Sequence, residues 1–186
     1  IGAFMLLLPN STTEGGISLI DAFFTSTSAV CVTGLIVVDT ATKFTVLGQS
    51  IITMLMQIGG LGVMTFASFL GMMYQSNSSF SNQIIMQDFI VEERIGEIFN
   101  TIYKIILITF VIEFIGFVFI YASIAHLDWT IKHKIFFSAF HTVAAFANAG
   151  FSTLSNGLYE NIVRFNYNLH LVIAFLIILG SIGFPI

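Results

Sequence analysis

The sequence predicts an all-α integral membrane fold that contains one structural unit twice. Three observations carry this reading. Of 186 residues, 56% are hydrophobic and only 9% are charged, with a mean hydropathy of +0.96. Soluble domains carry about 25% charged residues, so a water-facing surface cannot be built from this chain. Two apolar helical runs are too short to span a bilayer, and each stops at a glycine-bearing turn, Val32-Thr33-Gly34 and Asn148-Ala149-Gly150. These two runs share a register, which lays Phe24 on Phe140 and Gly34 on Gly150.

Composition also excludes several functions. The net charge is −4 and no basic run occurs, so nucleic acid is not an expected partner, because phosphate contacts need clustered Lys and Arg. Cys31 is the single cysteine and cannot form an internal disulfide. No Cys or His cluster suits a metal, and no phosphate loop is present, so neither an organic cofactor nor an enzyme is expected. The 21 phenylalanines suit lipid-facing and helix-packing surfaces.

In chain order, Ile1 to Leu8 reads as the tail of a longer helix, since eight helical residues cover about 12 Å against a hydrocarbon core of about 30 Å. After Pro9 and the polar loop Ser11 to Gly16, Ser18 offers an N-cap for a short helix through about Val30, with Asp21 in its first turn. Asp39, Thr40 and Lys43 mark a surface loop. Val46 to about Tyr74 is the clearest membrane helix. It carries Gln57-Ile58-Gly59-Gly60-Leu61-Gly62, where Gly59, Gly60 and Gly62 read as structural positions that let another backbone approach.

The character changes from Gln75 to about Asn100. A linker, Ser76-Asn77-Ser78-Ser79, precedes apolar residues at helical spacing set among Asp88, Glu92, Glu93, Arg94 and Glu97. This is an amphipathic helix for the membrane surface or a docking partner. Phe99 to about Ala125 is a second membrane helix, with Lys104 near one end and Glu113 in mid-span. A carboxyl at that depth is either functional or faces other helices and fixes their position. Trp129 marks an interface, Ile131 to Phe146 is the second short helix, and Leu169 to Ile186 begins a third long apolar helix.

The repeat extends beyond the short helices. Ala29 falls on Ala145, and the long helices that follow carry Ile58-Gly59-Gly60-Leu61-Gly62 and Leu179-Gly180-Ser181-Ile182-Gly183. The unit is therefore membrane helix, re-entrant short helix, extended glycine turn, membrane helix, in the same orientation twice. That is a parallel repeat about an axis along the membrane normal. Irregular backbone at membrane depth must be buried or line water. Turns gathered at an axis can aim carbonyls at a cation, and glycine permits the backbone angles this needs.

Several stretches carry a resemblance: Asp21-Ala22-Phe23-Phe24-Thr25, Val32-Thr33-Gly34-Leu35-Ile36-Val37-Val38-Asp39-Thr40, Phe44-Thr45-Val46-Leu47-Gly48-Gln49, Gln57 to Phe66, and Ala145 to Ser152. Together they resemble the Ktr/Trk/HKT superfamily of potassium transporters, most closely its bacterial KtrB-type membrane subunits. The resemblance covers nearly the whole chain. It implies four pore units around a pseudo-fourfold axis, each a helix, pore helix, filter loop and helix. This chain would supply the first two: residues 1–75 with a truncated opening helix, a cytoplasmic linker helix at 76–100, and residues 101–186 with a truncated closing helix.

The resemblance maps filter glycines onto Gly34 and Gly150. It makes the carbonyls of Val32, Thr33, Gly34, Asn148, Ala149 and Gly150 the potassium ligands. Glycine rather than serine at position 34 favours potassium, with sodium or mixed transport the alternative. Cys31 stands where a hydroxyl residue is common in relatives. The resemblance further implies a multi-pass protein of the bacterial inner membrane, a homodimer of membrane subunits in the lipid bilayer, and a cytosolic nucleotide-binding regulatory ring of KtrA/TrkA type. Charge alone does not orient the chain: Arg94 and Lys104 would be cytoplasmic, while Lys43, Lys132, Lys134 and Arg164 would be outside.

Two other readings compete. A non-transporting scaffold would recruit a soluble partner through the 80–100 helix. An intramembrane enzyme would use Glu113 with His141, but it lacks a nucleophile or metal-ligand set at useful spacing. His141 reads better as a packing residue of the short helix.

Overall fold

The computed structural model describes residues 1–13, 15–75 and 90–182. Among them the chain is helical and has no strand, with one isolated antiparallel bridge between Thr12 and Phe44. The helices are α1 (Gly2–Leu6), α2 (Leu19–Val30), α3 (Thr40–Lys43), α4 (Val46–Gln75), α5 (Ile90–Ser123), α6 (Ile131–Phe146) and α7 (Tyr167–Ile182).

Helix α2 begins where its cap is. Ser18 Oγ accepts the Asp21 N–H at 3.1 Å and donates to the Asp21 carboxylate at 2.7 Å, satisfying one of the unpaired donors of the first turn. Twelve residues give a helix of about 18 Å, well short of a span. Helix α6 has the bounds the sequence suggests, Ile131 to Phe146.

Helix α5 differs from the sequence reading. The amphipathic segment and the membrane helix, divided near residue 99 by pattern, share one unbroken helix from Ile90 to Ser123. No proline interrupts it, and Gly96, near the junction, costs only about 1 kcal/mol against alanine. The linker Ser76 to Ser79 and the residues up to 89 lie outside the described residues, as do Gly183 to Ile186.

Among the described residues, Ile102–Ser123 is long and apolar enough to cross a membrane, with mean hydropathy 2.6. The sequence put the clearest span in α4, whose apolar described part, Val46–Gly62, is shorter. The outer face of α5 presents Leu107, Phe110, Val111, Phe114, Val118 and Phe119, all exposed. A continuous apolar face of this kind suits hydrocarbon rather than water.

Two cores meet at α6. One gathers Leu6, Ala22, Ala29, Ile52 and Met56 from α1, α2 and α4, together with Phe140 and Ala144 of α6. The other joins Ile120 of α5 and Leu169, Ile173 and Leu176 of α7 to Phe137 and Ala145 of α6. Helix α6 is thus covered on opposite faces, and Phe137, Phe140 and Phe146 are all buried.

Candidate functional site

The turn after α2 is built from backbone hydrogen bonds that close the helix. Thr33 N–H donates to the Ser28 carbonyl at 3.0 Å and Val32 N–H to the Ala29 carbonyl at 3.2 Å. This pair is a Schellman closure. Its left-handed residue is Val32, at φ 55°, with Gly34 following at φ 70°. Such closures usually place glycine where Val32 sits. A β-branched residue there is a genuine outlier, costing about 1–2 kcal/mol, so the surrounding contacts must hold it.

The same backbone recurs after α6. Ala149 N–H donates to the Ala144 carbonyl at 2.8 Å and Asn148 N–H to the Ala145 carbonyl at 3.1 Å. Asn148 has φ 58° and Gly150 φ 71°. Each of these residues lies at the offset the sequence register gives. The glycines are therefore not the helix caps. They are second left-handed residues, two positions beyond Val32 and Asn148.

Side chains support the two turns differently. In the first, Ser28 Oγ donates to the Leu35 carbonyl at 2.7 Å, which leaves the Thr33 hydroxyl to donate to Ser28 Oγ at 3.0 Å. In the second, Ala144 and Ala149 occupy the corresponding places and offer no hydroxyl. Instead, His141 Nδ1 donates to the Phe137 carbonyl at 2.9 Å, and Nε2 then accepts from the Ser152 hydroxyl at 3.1 Å. Ser152 Oγ also accepts the Leu154 N–H at 3.0 Å. From α7, the Ser181 hydroxyl reaches Asn148 Oδ1 at 3.2 Å and the Ile177 carbonyl at 2.8 Å.

The turns touch at their glycines. A Cβ on Gly34 would strike the Ala149 carbonyl oxygen and come within 3.2 Å of the Gly150 Cα. A Cβ on Gly150 would sit 3.5 Å from the Gly34 Cα, an ordinary contact. Of the six residues the sequence singled out, Gly34, Ala149 and Gly150 are thus brought together. Val32, Thr33 and Asn148 hold matched places in their own turns, and Cys31 is the exposed C-cap of α2.

The long helices pass close behind. A Cβ on Gly59 would collide with the carbonyl oxygen of Val30, the last residue of α2. A Cβ on Gly180 would collide with that of Phe146, the last residue of α6. Gly60 faces Ala147, whose Cβ a new side chain would meet at 3.2 Å. Gly62 differs: a Cβ there meets no described atom within 4 Å, so close approach does not account for it.

In the loop beyond the first turn, Asp39 caps α3. Its carboxylate accepts the Ala41 N–H at 3.0 Å and the Thr42 hydroxyl at 2.9 Å, and bonds to Ser155 of the second loop. Partial burial raises its pKa, but the bonds from Ser155, Ala41 and Thr42 outweigh this and hold it below the ordinary 3.8. Glu113 is buried and accepts from Gln57 Nε2 of α4 at 3.0 Å. Both ring nitrogens of His141 are engaged elsewhere, so Glu113 and His141 are not a hydrogen-bonded pair.

Sequence reasoning missed Ser28, Ser152 and Gln57 as supports. The uncharged hydroxyl run Thr25 to Ser28 and the lone glutamine in an apolar helix were the available signals.

The described residues thus combine one helix long and apolar enough to cross a membrane with two short helices that end in matched turns. Residues 3–186 match the TrkH family, described as cation transport protein, and the chain belongs to that family. It is 40% identical over its full length to Ktr system potassium uptake protein B of Bacillus subtilis (strain 168), covering 41% of that protein. It is 36% identical to the protein of the same name from Vibrio alginolyticus, over 99% of this chain and 40% of the relative. Potassium/sodium uptake protein NtpJ of Enterococcus hirae is also 36% identical, over 98% of this chain and 40% of that relative. The chain therefore spans about two fifths of the length of these relatives.

Proposed function

We propose that this chain forms two adjacent units of a potassium-conducting pore, residues 1–75 and 101–186, joined by a cytoplasmic segment at 76–100. The carbonyls of Val32, Thr33 and Gly34, with those of Asn148, Ala149 and Gly150, replace part of the ion's hydration shell. In an extended chain, successive carbonyls alternate sides. Reversing the sign of φ at alternate residues rotates the peptide planes, so neighbouring carbonyls can face one side. The observation that carries this reading is the pair of turns with positive φ at 32 and 34 and again at 148 and 150. Their contact at Gly34 and Gly150 supports a common ion path.

Potassium is the favoured cargo because two of the relatives carry potassium uptake in their names. Sodium as a second ion is the alternative, and the potassium/sodium name of a third relative favours it. A multi-pass inner-membrane subunit that dimerises and is controlled by a cytosolic nucleotide-binding ring follows from the Ktr resemblance.

The test is Gly34→Ser in the intact protein, assayed in a host lacking its own potassium uptake. Weakened potassium over sodium uptake at normal protein level is expected. Unchanged selectivity would remove the filter assignment.

A further inference from the structure

Where α4, α5 and the end of α6 meet, a polar cluster sits in otherwise apolar surroundings. Met56, Gln57, Gly60 and Leu61 come from α4, Thr109 and Glu113 from α5, and Phe146 and Ala147 from the end of α6. These residues line a half-open space with room for a water-sized sphere. A buried water needs such room together with two to four polar partners.

The polar partners are present. Thr109 is 2% exposed, and its Oγ1 has no hydrogen-bond partner within the protein. It lies one helical turn before Glu113, so both side chains project from the same face of α5. Gln57 commits Nε2 to Glu113 Oε2, and its own Oε1 is buried without a protein partner. Leaving either group unpaired carries the full cost of taking it out of water, which a single bridging molecule removes for both.

We infer that the Thr109–Gln57–Glu113 cluster is a binding site for one structural water. The balance of donors and acceptors selects water over a metal ion. Thr109 can donate its hydroxyl hydrogen to the water. The water's two hydrogens can then serve Gln57 Oε1 and the Glu113 carboxylate. This gives three bonds, the usual number for a buried water. A monovalent cation would find three side-chain groups, too few to replace a hydration shell. The site ties α4 and α5 together directly behind Phe146 and Ala147, and so supports the second turn from below. It stands independently of the filter reading.

The experiment is a structure of the intact protein in lipid, at a resolution that orders waters, together with thallium-soaked data. Density within hydrogen-bonding distance of Thr109 Oγ1, Gln57 Oε1 and Glu113, with no anomalous thallium signal there, is expected. Thr109→Val, which keeps the shape and removes the hydroxyl, should abolish that density. No density in the wild-type protein would overturn the inference. So would a thallium peak at the site, which would make it a cation site, or density that persists in Thr109→Val. The wild-type measurement decides even where the variant fails to accumulate.

Discussion

The turn after α2 and the turn after α6 share a backbone and differ in what holds it. The first is self-braced: Ser28 and Thr33 bond to each other, and Ser28 also bonds to the Leu35 carbonyl within the turn. The second is braced by His141 of its own helix, through Ser152 beyond the turn, and from outside by Ser181 of α7. Burial follows the same division. Phe24 is 39% exposed while Phe140, at the matched position, is fully buried. Helix α6 lies between two cores and can borrow support from neighbours on both sides. Helix α2 packs mainly against α1 and α4 and must carry its own polar braces. Equivalent backbone geometry is thus reached by two sets of side chains, each suited to its surroundings.

The largest expected effect comes from the glycine contact, which is lopsided. Gly34→Ala drives a Cβ into the Ala149 carbonyl, adding about 1–3 kcal/mol of overpacking to the cost of a left-handed alanine. Gly150→Ala should cost only the latter, about 1–2 kcal/mol. Thermal unfolding of the two variants in lipid should rank Gly34→Ala as clearly the worse. Equal losses would break the asymmetry.

The braces come next. Ser28→Ala removes a buried hydroxyl and leaves the Leu35 carbonyl without it, an expected loss of about 1–3 kcal/mol. His141→Phe keeps the ring but frees Ser152, which still holds the Leu154 N–H. Its loss should be nearer 1 kcal/mol. Denaturant midpoints of the two variants measure the difference. A larger loss at His141 would mean the second turn is the more dependent one.

A swap at the caps sharpens the comparison further. Val32→Asn installs the residue the second turn uses and relieves a β-branched side chain at φ 55°, so a gain of up to about 1 kcal/mol is expected. Asn148→Val should lose a similar amount. Melting shifts of the same sign for both would show that the caps are not equivalent.

The smallest effect concerns acid. The carboxyl of Asp39 is held below its ordinary pKa of 3.8, so protonation disfavours the folded state. Its contribution is fully present above that value and is lost as pH falls through the lower, folded one. Asp39→Asn should flatten the low-pH end of the stability profile by lowering stability near neutrality, while leaving stability at the acid end little changed. An unaltered acid limb would remove the Asp39–Ser155 link between the two loops.

These contrasts mark where the sequence was legible. Helix α2 could be placed because Ser18 and Asp21 form a local cap, and α6 because its apolar run stops at the Ala147 to Phe151 stretch. The matched turns were readable because backbone closure depends on few residues, repeated at a fixed offset. The braces were not readable, since the partners of Ser28 and His141 depend on the path the chain takes after each helix ends. Nor was the continuity of α5, where charge pattern suggested two elements and helix propensity permits one. Glu113 was visible as a buried carboxyl, but its partner Gln57 lies 56 positions away in sequence. That pairing depends on how α4 and α5 are packed.

The most direct measurement is anomalous diffraction from the intact protein soaked in rubidium, which substitutes for potassium. The account predicts signal between the two turns, within coordination distance of carbonyls from Val32 to Gly34 and from Asn148 to Gly150. Rubidium bound elsewhere, with none between Gly34 and Gly150, would contradict it.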